Sequence, residues 1–452
     1  RALTATVSDT RSRLSAAGTA PVRGPCQTDA MDIQAEAIAI AVLTIFLFLA
    51  LCAALVLVTV ALRTPAAAPL GVVLLDAVGC VLAEDVVAGF DLPAVDLAAL
   101  DGYAVSSEEI ASASPESPVH LSVVDTLRAG DVRPARLVRR SAVLIDSGAP
   151  LPAGADAVVP WAATDRGDSR VTLSAPVEPG VNVRHRAEDV AAGATVLPAG
   201  SRLSARHIAL LAALGRYRVK VHPSPRVVIV SIGDELVEPG RPAEPGDVFD
   251  ANGHALACAV TYAGGQPFRV SAVPDELRAL QETIEDQLVR ADVLITTGGL
   301  SNGQGDTVKA VLSPLGSVRF DSVAMSPGRQ LGLGSVEGTP IFCLPGDPVS
   351  AQIAFETFVR PVLRQIAGWS GLHRTSLPAS VTAGWTSPAG MREFVPVHLT
   401  GAPSRGYTAE PTAEPGSTHL LGLAGANAIA VVPEDTRKVV VGDTLHCLLL
   451  DA

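Results

Sequence analysis

The chain has 452 residues, and 48% of them are hydrophobic against 18% charged, which excludes a wholly disordered protein. At roughly 150 residues per domain it has room for about three domains. Its net charge of −12 excludes a general affinity for nucleic acid, because phosphate binding needs a cationic surface.

Residues 1–36 read as an N-terminal tail. From Ala37 to Leu62 the chain then runs 26 residues without a charge, between Glu36 and Arg63. As a helix this stretch would extend about 39 Å, enough to span a bilayer. It is expected to be a transmembrane helix rather than a buried core helix, since core helices are seldom so long or so uniformly apolar. A cleaved signal peptide fits less well, because the nearest upstream charges, Asp32 and Glu36, are acidic.

After a Pro/Ala linker, Val72 to Val87 reads as a helix followed by an extended segment. Residues 183–222 give a Gly-punctuated segment and a helix from Ser204 to Leu214 ended by Gly215. Between them, residues 106–181 alternate short apolar runs with Gly and Pro, the pattern of an inserted β domain. Residues 223–370 alternate strands and helices. Strands at Val227–Ser231, Pro267–Val273 and Val293–Thr297 enclose helices near Asn252–Ala263 and Asp275–Arg290, which implies a doubly wound parallel sheet. Residues 371–452 return to short β segments and suggest a small barrel-like end domain.

Ligands of doubly wound sheets bind at the carboxyl ends of the strands, and three loops stand there. TTGGLSNGQGDTVKAVL, residues 296–312, offers Gly298, Gly299, Ser301 and Gly303 ahead of a helix, where backbone N–H groups either face an anion or simply make a tight turn. CLPGDPVSAQIAF, residues 343–355, sets Pro345 and Pro348 around Gly346, with Ser350 placed to cap the helix or to touch a ligand. VSIGDELVEPG, residues 230–240, brings Asp234 and Glu235 to the sheet edge. Glu235, Asp275 and Asp306 could converge to hold a Mg²⁺ ion against phosphates, although each alone also reads as a solvated acid at a helix start. Arg184 and Arg186, beside Glu188 and Asp189, either hold an anion or form surface ion pairs. Lysines are few, only Lys220, Lys309 and Lys438, so an anionic substrate would have to meet arginines. The six cysteines show no CxxC or His-x-Cys spacing, which suits a reduced, cytosolic body.

From about Leu70 to the C-terminus these segments, in this order, resemble the molybdopterin molybdenumtransferase family of the MoeA type, which includes the E domain of gephyrin. The resemblance rests on AEDVVAGFDLPAVDLAALDGYAV (83–105), SGAPLPAGADAVV (147–159), NVRHRAEDV (182–190), SIGDELVEPG (231–240), TTGGLSNGQGD (296–306), SPGR (326–329), LPGDPVSA (344–351) and GSTHLLGLAGANAIAVVPE (416–434). It implies a homodimer with a composite central domain at 64–105 and 182–222 and a molybdopterin-binding α/β domain at 223–370. The implied reaction inserts molybdate into adenylylated molybdopterin with Mg²⁺ and releases AMP, with a molybdopterin-adenylating enzyme as the upstream partner. Glu235, Asp275 and Asp306 match the acidic residues of the family's cleft. Asp101, Ser147, Arg184 and Asp189 match residues reaching that cleft, in part from a second subunit. Pro345, Gly346 and Pro348 match the loop beneath the pterin.

The departures also carry information. Basic positions of the family are Ser322 and Ser326 here, with Arg329 as the candidate replacement for one charge, and Asp347 stands where Asn is usual. They raise the alternative of an impaired paralogue, or of a gephyrin-like scaffold that recruits a membrane or cytoskeletal partner. The expected location is a cytoplasmic catalytic body, with residues 37–62 as a membrane anchor.

Overall fold

The computed structural model describes residues 64–131, 133–300 and 306–450. The expected membrane span at 37–62 lies outside these residues, as do Ser301 and Gly303. Among the described residues no helix is long and apolar enough to cross a membrane.

Two distant stretches make the first unit because each supplies the other's strands. Leu70–Val73 pairs antiparallel with Arg218–His222, which also pairs with Val81–Leu82. Val86–Val87 pairs with Thr195–Leu197, and Leu97–Ala98 with Val183–Arg184. Leu82, Leu197, Leu203, Leu211 and Val221 fill the core between them. The helix expected from Val72 does not form. Val72 and Val73 lie in the first strand and residues 74–79 are turns, because β-branched side chains with a partner strand at hand favour the ladder over a short helix. The later helix, Ala205–Ala213, starts at a Ser204 cap paired with His207 and stops before Gly215, at φ +68°.

A five-stranded sheet follows in the order Ala157–Pro160, Gly102–Val105, Ser141–Ile145, Val119–Leu127, Arg170–Leu173. It takes in Gly102–Val105, ahead of the boundary expected at 106. All four of those residues are buried, and Tyr103 and Val105 pack with Ile110, Leu121 and Val171.

The α/β unit comprises β1 (Arg226–Ile232), α1 (Ala251–Tyr262), β2 (Gln266–Val273), α2 (Leu277–Leu288), β3 (Val293–Thr297), α3 (Thr307–Leu315), β4 (Ser317–Ser322), β5 (Gln330–Val336), β6 (Thr339–Leu344) and α4 (Pro348–Ala354). The sheet order is β2-β1-β3-β6-β5-β4. Helices α2 and α3 pack together, as do α1 and α4. The all-parallel expectation needs correcting at one edge, where β5 runs antiparallel to both β4 and β6. Glu337 at φ +51° and Gly338 at φ +86° make a two-residue hairpin between β5 and β6, which leaves no room for a crossover helix. Val228, Val230, Ile232, Leu294, Ile341 and Cys343 cover one face of the sheet against Leu280, Ile284, Val308 and Leu312.

The last unit is a closed barrel. Arg392–Ala402 pairs with Gly406–Pro411, which pairs with Ser376–Val381, then Thr444–Leu449, then Ala428–Val432, which returns to Arg392–Ala402. Met325–Ser326 lies parallel to the first of these strands and ties the turn after β4 to the barrel.

Candidate active site

Strands β1, β3 and β6 end side by side, and the backbone that follows them is in direct contact. A Cβ placed on Gly298 would lie 2.2 Å from the Ile232 carbonyl oxygen, and one on Gly346 would lie 3.5 Å from the Gly298 Cα. Gly298 has φ +87° and Gly299 φ +66°, conformations that favour glycine, so the turn can be made with no side chain between the strand ends. The Thr297 hydroxyl donates to the Pro345 carbonyl at 2.9 Å. Nδ2 of the buried Asn252 donates to Thr297 Oγ1 at 2.9 Å and to the Gly346 carbonyl at 2.8 Å. Sequence reasoning missed Asn252; its position just after the α1 cap, Asp250, was the available signal.

Three carboxylates border this edge, each in a different situation. Asp275, after β2, places an oxygen 3.7 Å from where a Cβ on Gly299 would stand, and its N–H donates to Asp234 Oδ1 at 3.2 Å. Asp306 accepts the Lys309 N–H at 2.9 Å and caps α3. Glu235 is exposed and folds back over Gly233, where a Cβ would meet its Oε2 at 2.6 Å. Among the described residues no three His, Cys, Asp or Glu side chains could hold one metal ion. The expected magnesium set of Glu235, Asp275 and Asp306 therefore does not fit the ion by itself: Asp306 is engaged by the helix and Glu235 is turned toward its own loop. Beneath the edge lies Cys343, whose thiol burial pushes up to about 12, so it is no nucleophile.

The proline loop resolves the choice left open for Ser350. The cap of α4 is Asp347, whose Oδ2 accepts the Ser350 N–H at 2.8 Å, while Ser350 itself is buried. Pro348 occupies the first turn, where no N–H is required. A Cβ on Gly328 would lie 3.2 Å from the Ser350 carbonyl, so the SPGR turn packs against this helix start. Arg329 follows it, exposed and without an ion-pair partner among the described residues. Because Asn caps a helix as well as Asp does, Asp347→Asn should leave stability within about 0.5 kcal/mol, whereas Asp347→Ala should cost about 1 kcal/mol. Urea denaturation of the two variants distinguishes capping from a purely electrostatic role.

A second group of expected site residues gathers elsewhere. Asp101 Oδ1 accepts the Ser147 N–H at 2.7 Å, and the Ser147 hydroxyl donates to the Ala99 carbonyl at 3.2 Å. Arg184 pairs with Asp189 at 2.7 Å. Arg186 pairs with Asp91, which the Ala192 N–H and this guanidinium hold below the usual carboxylate range. Both guanidiniums are engaged by neighbouring acids, Arg184 by Asp189, the residue with which it is expected to reach the cleft. No hydrogen bond or ion pair among the described residues links this group to the carboxyl edge of the sheet.

Comparison with known proteins gives three consecutive family matches. Residues 44–215 match "MoeA N-terminal region (domain I and II)", residues 228–365 match "Probable molybdopterin binding domain", and residues 378–450 match "MoeA C-terminal region (domain IV)". The first match begins inside the uncharged run 37–62. A similar protein, molybdopterin molybdenumtransferase 2 of Mycobacterium tuberculosis, is 39% identical over 393 residues, covering 86% of this chain and 96% of that one. The molybdopterin molybdenumtransferase of Bacillus subtilis is 33% identical over 384 residues, with 84% and 89% covered. Among solved structures, the molybdopterin biosynthesis MoeA protein from Pyrococcus horikosii superposes with a TM-score of 0.75 at 30% identity, covering 88% of this chain and 98% of that one.

Proposed function

Because the chain belongs to the molybdopterin molybdenumtransferase family, enzymes of molybdenum cofactor biosynthesis, we propose that it inserts molybdate into adenylylated molybdopterin and releases AMP. The observation that carries this reading is the contact of Gly298 with Ile232 and Gly346, which leaves an open, side-chain-free turn where three strands end. Backbone N–H groups of such a turn suit the terminal phosphate of an adenylylated substrate. In this reading a water attacks the adenylyl phosphorus, Asp275, against Gly299, accepts the proton that water loses, and the bond from that phosphorus to the pterin's own phosphate breaks to free AMP, while the loop at Pro345, Gly346 and Pro348 underlies the pterin. Glu235 orients the substrate at the same edge, and Arg329 offers charge to the oxyanion.

Asp101, Ser147, Arg184 and Asp189 are proposed to complete the cleft, in part from a second copy of the chain in a homodimer. Magnesium belongs to the family expectation, but the described carboxylates form no group that would hold it unaided, and the proton transfer to Asp275 does not depend on it. A molybdopterin-adenylating enzyme would supply the substrate. The thiols of Cys80, Cys258, Cys343 and Cys447 are unpaired, which agrees with a cytoplasmic body. No observation favours the scaffold alternative.

Ser322 and Ser326 test the reading against an impaired paralogue. The unaltered chain is expected to turn over adenylylated molybdopterin, with Ser322→Lys and Ser326→Lys chiefly lowering the molybdate concentration needed. Binding without turnover in the unaltered chain, cured by those substitutions, would show that activity has been lost.

A further inference from the structure

The segment that carries Glu235 is an excursion from the sheet, and one arginine outside it ties it down. It leaves β1 at Gly233 and returns at Asp250, the cap of α1. Its base is pinned by backbone: the Val248 N–H donates to the Glu235 carbonyl at 2.8 Å, and the Asp250 N–H to the Val237 carbonyl at 3.0 Å. Asp234 Oδ1 accepts the Asp275 N–H at 3.2 Å, and the further side-chain restraint comes from Arg269 of β2, opposite Ile229 in register. Its Nη2 donates to Glu238 Oε1 at 2.8 Å and to Asp250 Oδ2 at 3.0 Å, and its Nη1 meets His254 Nε2 at 3.0 Å.

Each partner is itself fixed. Buried Asp250 accepts the Ser231 hydroxyl at 2.9 Å and the Gly253 N–H at 2.8 Å through its other oxygen. His254 Nδ1 lies 2.9 Å from the Asp250 carbonyl, which can only accept, so Nδ1 carries the proton and Nε2 is left as the acceptor for Arg269. Gly253 makes the space, since a Cβ there would lie 2.3 Å from Asp250 Oδ2 and 2.9 Å from Arg269 Nε. Among the described residues Glu238 is the excursion's sole side chain between Gly233 and Asp250 in an ion pair, its partner being Arg269.

We propose that Arg269 is a positioning residue for the reaction: by holding Glu238 against Asp250 it fixes the short arc back to Glu235 and thereby where that carboxylate stands. The proposal rests on the reading of Glu235 as a site residue. The rigid planar fork of Arg269 spreads these donors over two nitrogens, a geometry that a lysine's single ammonium on a flexible stem does not reproduce.

The test is a double-mutant cycle on the full chain, with turnover of adenylylated molybdopterin as the readout. Arg269→Lys and, as a less buried perturbation, Glu238→Gln should each lower kcat about tenfold while changing KM less than about twofold. In a Glu235→Gln background the same substitutions should have no further effect. Equal losses in both backgrounds, or no loss from either substitution alone, would overturn the link. If Glu235→Gln leaves turnover unchanged, the site assignment fails and this proposal fails with it; an impaired Glu235→Gln with additive losses sinks the Arg269 role alone.

Discussion

Gly298→Ala is expected to abolish turnover and to destabilise the chain by about 3 kcal/mol or more. Two effects add. At φ +87° any Cβ brings the strain of left-handed backbone, roughly 1–2 kcal/mol. Beyond that, the new methyl would stand 2.2 Å from the Ile232 carbonyl oxygen, and its obstacle is main chain at the end of a central strand, which cannot rotate aside. Relief requires β1 and β3 to separate where the substrate is expected to bind. Gly442→Ala is the control: that residue has φ +94° with nothing within 4 Å of a new Cβ, so it carries the conformational strain without the collision. Chemical denaturation of both variants should show a larger loss for Gly298→Ala by about 2 kcal/mol. Equal losses would mean that the three strand ends do not meet as described.

Asp275→Asn should leave the fold intact and cut turnover about 100-fold or more, the range removed when a proton acceptor is lost. The residue is exposed, and its backbone N–H bond to Asp234 does not depend on its own side chain, so stability should change by less than about 0.5 kcal/mol. Its oxygen beside Gly299 is the nearest described carboxylate to the turn. Steady-state kinetics together with an unfolding curve separates the two effects. A variant retaining half of the parent turnover would remove Asp275 from the chemistry.

Much of the α/β unit was legible because its strands are buried on both faces and read as short continuous apolar runs. Val227–Val230 and Val293–Ile295 stand out in that way, bounded by turn residues. Local signals failed where a distant partner decides the outcome. Val72 and Val73 have the composition of either element, and Arg218–His222, almost 150 residues on, makes them a strand. The antiparallel edge was hidden for a similar reason: Glu337–Gly338 is a hairpin signal of two residues inside a pattern of crossovers.

At the site, the glycines and prolines were legible because each answers a backbone requirement that travels with the residue type. The roles of charged side chains were less so. Arg184 and Arg186 looked available for an anion, but Asp189 and Asp91 engage them. Asp306 and Asp347 looked like site charges and both cap helices. The network of Arg269, Asp250, Glu238 and His254 draws on three separate segments, so no spacing in the sequence announces it.

The central claim is tested most directly by counting AMP released from adenylylated molybdopterin by the purified chain, with and without molybdate. The account predicts release that requires molybdate and matches, mole for mole, the molybdenum cofactor formed, as judged by reconstitution of a cofactor-free molybdenum enzyme. AMP release that ignores molybdate, or saturable binding of the adenylylated pterin with no release at all, would contradict it.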